Sequence, residues 1–139
     1  MLVDFKRPFS HIKYLSSLTA DQWIKLALLN PIDILIDDGG HSNLDQIITT
    51  VNVAEKIKDG GVIVIEDTHS SYLKKFSNPS KYSFISFSKK LVDDINFKFP
   101  NLRKFNFSLN DYIYSISYFE SIVCFHIDTK KCLTNEKIK

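Results

Sequence analysis

A chain of 139 residues, 44% of them hydrophobic, with 18 Lys and Arg against 16 Asp and Glu, has the size and make-up of one globular domain with a modest core. No stretch is basic enough for a nucleic-acid surface, and no apolar run approaches the ~20 residues that span a bilayer, so neither nucleic acid nor membrane is an expected partner. Cys124 and Cys132 lack metal-site spacing and make no disulfide framework, and Met1 to Arg7 holds no signal-peptide core, which points to the reducing cytoplasm.

In chain order, Ile12 to Leu15 reads as a short strand. Thr19 to Gln22 has capping-box form and opens a helix with the stripe Trp23, Ile24, Ala27 and Leu28, which Asn30-Pro31 ends. Asp33 to Asp37 is a short apolar run between turn signals, the pattern of a strand buried on both faces. Gly39-Gly40 supplies the sharp turn after it. Ser42 with Asp45 caps a helix running to about Lys58, with Leu44, Ile47, Ile48, Val51, Ala54 and Ile57 as its apolar face. Asp59-Gly60-Gly61 ends that helix, and a second strand covers about 62–66. Strand, helix and strand joined by short loops predict a βαβ unit with parallel strands and a right-handed crossover.

A loop follows at 67–78, and Asn78-Pro79 starts a helix with Phe84, Leu91, Val92 and Ile95 buried. Phe99-Pro100-Asn101 ends it, and Phe105, Phe107 and Leu109 alternate weakly. Tyr112 to Phe119 and Ile122 to Ile127 read as an antiparallel hairpin turning near Glu120-Ser121. The expected domain is 1–128, with a polar, lysine-rich tail at 129–139.

The chemistry gathers where the two confident strands end. Asp37, Asp38, Glu66 and Asp67 fall at their carboxyl ends, with His41 and His69 close behind, and open α/β sheets bind ligands at that edge. A hard cation such as Mg²⁺ takes oxygen ligands and keeps several waters, so two or three carboxylates suffice. Strand spacing of ~4.8 Å lets Asp38 from one strand and Glu66 and Asp67 from its neighbour converge on one ion. The same acids also suit solvated strand ends or caps of the following helices, although the adjacent charges of Asp37 and Asp38 repel unless a cation lies between them. His41 is placed to take a proton from a hydroxyl, or to start the helix while donating to a carboxylate. His69 carries the same two readings, and Tyr72 either packs on a ligand or joins the core. His11 and His126 read as structural.

Ile36-Asp37-Asp38-Gly39-Gly40-His41 and Ile65-Glu66-Asp67-Thr68-His69-Ser70-Ser71-Tyr72, with the closing run Ser115 to Val123, resemble class I S-adenosylmethionine-dependent methyltransferases. The likeness is to the metal-dependent sugar O-methyltransferases of macrolide biosynthesis and the related cephalosporin hydroxylase proteins. The resemblance implies a Rossmann-like α/β fold with helices on the faces of a parallel sheet and a C-terminal antiparallel hairpin. It implies S-adenosylmethionine and Mg²⁺ as cofactors, Asp38, Glu66 and Asp67 as metal ligands, His41 as catalytic base, and a hydroxylated small molecule such as a sugar as substrate. That family carries an earlier glycine-rich cofactor loop, whereas this sequence has no glycine before Gly39, so an N-terminally truncated relative is expected and its cofactor-binding residues stay unassigned. The competing expectations are a non-catalytic remnant or assembly module that needs a partner chain and, more distantly, a metal-dependent hydrolase. A half-sheet with an open edge would favour a homo-oligomer.

Overall fold

A computed structural model describes residues 12–15, 31–76, 82–96 and 109–132. The expected helix at Thr19, Pro79 and the run 99–107 lie outside them, as does His11. The described elements are strands β1 (Ile12–Leu15), β2 (Ile32–Asp37), β3 (Ile57–Ile65), β4 (Ile113–Phe119) and β5 (Ile122–Ile127) and helices α1 (Asn43–Val53) and α2 (Phe84–Asn96). Short 3-10 turns cover Ala54–Lys56, Thr68–Tyr72, Lys74–Phe76 and Leu109–Asp111.

Among the described residues the strands form one sheet in the order β1-β2-β3-β5-β4. β1, β2 and β3 run parallel, with Leu15 beside Asp37 and Asp37 beside Ile65. β5 lies antiparallel between β3 and β4, with Ile65 beside Val123. This is the expected parallel unit closed by an antiparallel hairpin. The register has a functional consequence. The carboxyl ends of β2 and β3 and the turn of the β4–β5 hairpin all arrive at one end of the sheet.

One sheet face is fully buried, through Leu35, Ile63, Ile65, Val123, Phe125 and Ile127. The alternate positions, Ile34, Ile36, Val62 and Val64, are only half-buried, where the apolar run had suggested burial on both faces. Phe84 and Leu91 anchor α2 as expected, with Ile95 packed beside them, while Val92 is exposed.

α1 departs further from expectation. Of the expected face, Ala54 and Ile57 are buried and Ile47 and Val51 pack against the core, but Gln46, Thr49, Thr50 and Val53 are buried too and Leu44 is 64% exposed. Two of these polar residues are bonded inside: Gln46 Nε2 donates to the Glu66 carbonyl at 2.9 Å and Thr50 Oγ1 to the Gln46 carbonyl at 2.9 Å. The helix also stops at Val53 rather than near Lys58, and β3 starts before the glycine pair. Gly60 has φ 84°, and a Cβ on Gly61 would sit 2.5 Å from the Asp33 carbonyl oxygen. The glycines therefore serve an irregularity inside the strand, where the register with β2 slips between Ile32 and Ile34, and not a helix end.

At the opposite end of the sheet, Asp59 Oδ1 accepts from the Thr129 amide at 2.7 Å and its hydroxyl at 2.8 Å, and Lys131 Nζ lies 2.8 Å from Asp128 Oδ2. The Thr129 amide chiefly holds the Asp59 carboxyl below the usual aspartate range, and Lys131 does the same for Asp128. A carboxyl with a depressed folded pKa stabilises above its unfolded value of ~3.9, and that stabilisation is lost as pH falls through the folded value. The Thr129 amide resonance is therefore expected to titrate with a midpoint below ~3.9 and to stop titrating in Asp59→Asn. A midpoint above that value would contradict the assignment.

Candidate metal centre

Two strand tips and one hairpin turn build the site. After β2 the chain must reverse into α1, and Asp37 organises the reversal: its Oδ1 accepts from the Gly39 amide at 3.1 Å. Asp37 is buried, and that burial lifts its carboxyl above the ordinary aspartate range, with the Thr49 hydroxyl and the Gly39 amide pulling it partly back. It is thus a turn-holding residue rather than part of the charged cluster. Ser42 caps α1 as expected. Its Oγ accepts from the Asp45 amide at 3.1 Å and donates to Asp45 Oδ2 at 2.6 Å.

After β3 the chain enters the 3-10 turn through Asp67, which has φ 53° and ψ 33°. His41 has φ 52° and Ser121 φ 61°, and these three are the left-handed non-glycine residues among the described ones. All three lie at the same end of the sheet. Such conformations cost on the order of 1–3 kcal/mol each, persist where the surroundings impose them, and cluster at functional sites.

The structure brings Asp38, His41 and Asp67 together. One potential ligand atom from each lies within 4.8 Å of the others. His41 Nδ1 is 3.5 Å from Asp67 Oδ2, is buried, and has no hydrogen-bond partner among the described residues. At that separation the two atoms are in close contact without a hydrogen bond. Two carboxylates beside an imidazole whose Nδ1 has no hydrogen-bond partner among the described residues form a group suited to a divalent cation. The residues present therefore fit such an ion.

Glu66 is not in this group. Its amide donates to the Asp37 carbonyl at 3.0 Å and its carbonyl accepts from Gln46, so its backbone ties β2, β3 and α1 together. Consecutive positions at a strand end project in different directions, and here Asp67 is the one grouped with Asp38.

His69 is exposed and shares a 2.6 Å hydrogen bond between its Nδ1 and Ser121 Oγ, while the same nitrogen is 3.9 Å from Asp67 Oδ1. Tyr72 is exposed and is not part of the core. His126 Nε2 meets Ser117 Oγ at 3.0 Å between the hairpin strands, the structural role the sequence suggested. Sequence reasoning missed Gln46 and Ser121. The one available signal for Gln46 was a polar residue between two apolar helix positions. Ser121 was visible only as a turn residue, since nothing local says which loop the turn meets.

No family profile matches the chain. A 71-residue segment, 49% of the chain, is 31% identical to the 8-demethyl-8-alpha-L-rhamnosyl tetracenomycin-C 2'-O-methyltransferase of Streptomyces olivaceus. A 74-residue segment is 30% identical to the L-olivosyl-oleandolide 3-O-methyltransferase of Streptomyces antibioticus. In both cases the aligned part makes up 19% of the relative. Among solved structures, the MycE methyltransferase from the mycinamycin biosynthetic pathway, in complex with Mg and SAH, superposes with a TM-score of 0.67 at 22% identity, covering 78% of this chain and 29% of that one. The chain thus has a methyltransferase-type α/β fold and is similar in sequence to sugar O-methyltransferases, as the paired motif implied, while spanning under a third of the proteins it matches.

Proposed function

We propose that this chain supplies the cation-binding and proton-accepting part of an S-adenosylmethionine-dependent O-methyl transfer to a hydroxyl of a sugar or similar small molecule. The observation that supports this reading is the meeting of Asp38 and His41, from beyond β2, with Asp67, from beyond β3. Asp38 and Asp67 would hold Mg²⁺, and Glu66, which the motif implies as a third carboxylate, lies outside the close group. When bound, S-adenosylmethionine supplies the methyl group and the cation supplies charge stabilisation at the acceptor oxygen. His41 would accept the proton that the acceptor hydroxyl gives up. Asp67 Oδ2 lies 3.5 Å from Nδ1, so the ring sits against one of the carboxylates assigned to the cation.

The test is methyl transfer from labelled S-adenosylmethionine to a rhamnosyl- or olivosyl-bearing acceptor, with and without Mg²⁺. His41→Ala is expected to lower the rate by about 100-fold or more, as loss of a general base does, while keeping Mg²⁺ affinity within about threefold. Loss of Mg²⁺ binding in His41→Ala would instead make His41 a ligand and remove it as the base.

A further inference from the structure

We propose that His69 is a positioning residue: with Ser121 it latches the β4–β5 turn onto the loop after β3 and so fixes the backbone conformation in which Asp67 faces Asp38 and His41. This rests on the cation-site reading above. Asp67 is left-handed without being glycine, so something outside its own residue must hold it there. On the chain before it, the Glu66 amide donates to the Asp37 carbonyl at 3.0 Å and the Glu66 carbonyl accepts from Gln46, and after it the Ser70 amide donates to the Asp67 carbonyl at 2.9 Å. The two residues just after Asp67 are also held from far away in sequence. The Thr68 amide donates to the Ser121 carbonyl at 3.0 Å, and His69 Nδ1 shares the 2.6 Å hydrogen bond with Ser121 Oγ.

These two bonds fix the residues immediately after Asp67 and use both the backbone and the side chain of one hairpin residue. Ser121 is itself left-handed, so the turn is shaped to present its carbonyl and hydroxyl together. Strand register makes the meeting unavoidable, because β3 and β5 pair as far as Ile65 and Val123 and their continuations must face each other. His69 Nδ1 is thereby committed to the latch. A ligand or base role would fall to Nε2, and that distinction is testable because an asparagine amide can replace Nδ1 in space and a glutamine amide can replace Nε2.

The experiment pairs Mn²⁺ titration by electron paramagnetic resonance with amide exchange at Thr68, in wild type, His69→Ala, His69→Asn and His69→Gln, with far-UV circular dichroism as the fold control. His69→Ala is expected to weaken Mn²⁺ binding by about 10-fold, the scale of losing a partner that orients a metal ligand, and to speed Thr68 exchange. His69→Asn is expected to retain both properties and His69→Gln to behave as the alanine variant. Unchanged Mn²⁺ affinity in His69→Ala, or rescue by glutamine and not asparagine, would overturn the proposal. If wild type binds no Mn²⁺, the cation-site reading fails, and Thr68 exchange still decides whether the latch exists.

Discussion

Asp38→Asn is expected to weaken Mg²⁺ and Mn²⁺ binding by at least about 100-fold, since even the loss of an outer partner that merely orients a ligand costs about 10–100-fold. The substitution keeps the side chain's size and removes its charge. A hard cation draws its affinity from anionic oxygen, and in the close group here Asp38 supplies one of two carboxylates. The cation-free protein should change by no more than about 1 kcal/mol, because removing a charge from beside Asp67 relieves repulsion. The two effects separate in a thermal melt. At a cation concentration of 100 times Kd, wild type gains about 2.7 kcal/mol from mass action, and Asp38→Asn gains almost none. Equal cation-induced shifts in the two proteins would show that the ion binds elsewhere.

Phe125→Ala is expected to cost about 3–5 kcal/mol in urea unfolding, out of a total of about 5–15 kcal/mol for a domain of ordinary stability. Phe125 is fully buried in β5, opposite Ile63 on β3 and Ile116 on β4, and meets the Phe84 ring edge-on with centroids 6.1 Å apart. Truncation there opens a cavity at the joint between the sheet and α2. The damage reaches the site through Asn43, whose Oδ1 accepts from the Phe84 amide at 2.8 Å and from Ser71 Oγ at 3.2 Å. One side chain thus ties the start of α1, the start of α2 and the turn after Asp67. Phe119→Ala is the control. Phe119 is 65% exposed at the hairpin tip, and its loss should stay within about 0.5 kcal/mol. A Phe125→Ala protein as stable as wild type would mean that the β5 face is not the core.

The parts of the fold written in local pattern were legible. Ile12 to Leu15, the run ending at Asp37 and the Tyr112–Ile127 hairpin are short β-rich runs bounded by turn residues, and each is a strand. The face of α1 was legible only in part, at Ile47, Val51, Ala54 and Ile57, because its inner side also carries polar residues. Gln46 and Thr50 give no apolar signal, and only the Gln46 bond to the Glu66 carbonyl and the Thr50 bond back to the Gln46 carbonyl account for them inside. The glycine pair was misread for a related reason. A glycine that ends a helix and one that lets two backbones approach look identical in sequence, and only the 2.5 Å from a Cβ on Gly61 to the Asp33 carbonyl oxygen separates the two. At the site, the motif indicated that Asp38 and Asp67 meet, since strand ends in a βαβ unit must converge. It could not say that His41 and not Glu66 joins the close group with Asp38 and Asp67, because the left-handed backbone at His41 and Asp67 is not written in local pattern. The contribution of Ser121 comes from 52 residues away from His69, beyond any local pattern.

The most direct measurement is anomalous diffraction from a crystal of the wild-type protein soaked in Mn²⁺. A single strong peak about 2.1 Å from a carboxylate oxygen of Asp38 and from one of Asp67 is the predicted result. A peak at the opposite end of the sheet, beside Asp59 and Asp128, or no peak at all, would contradict the account.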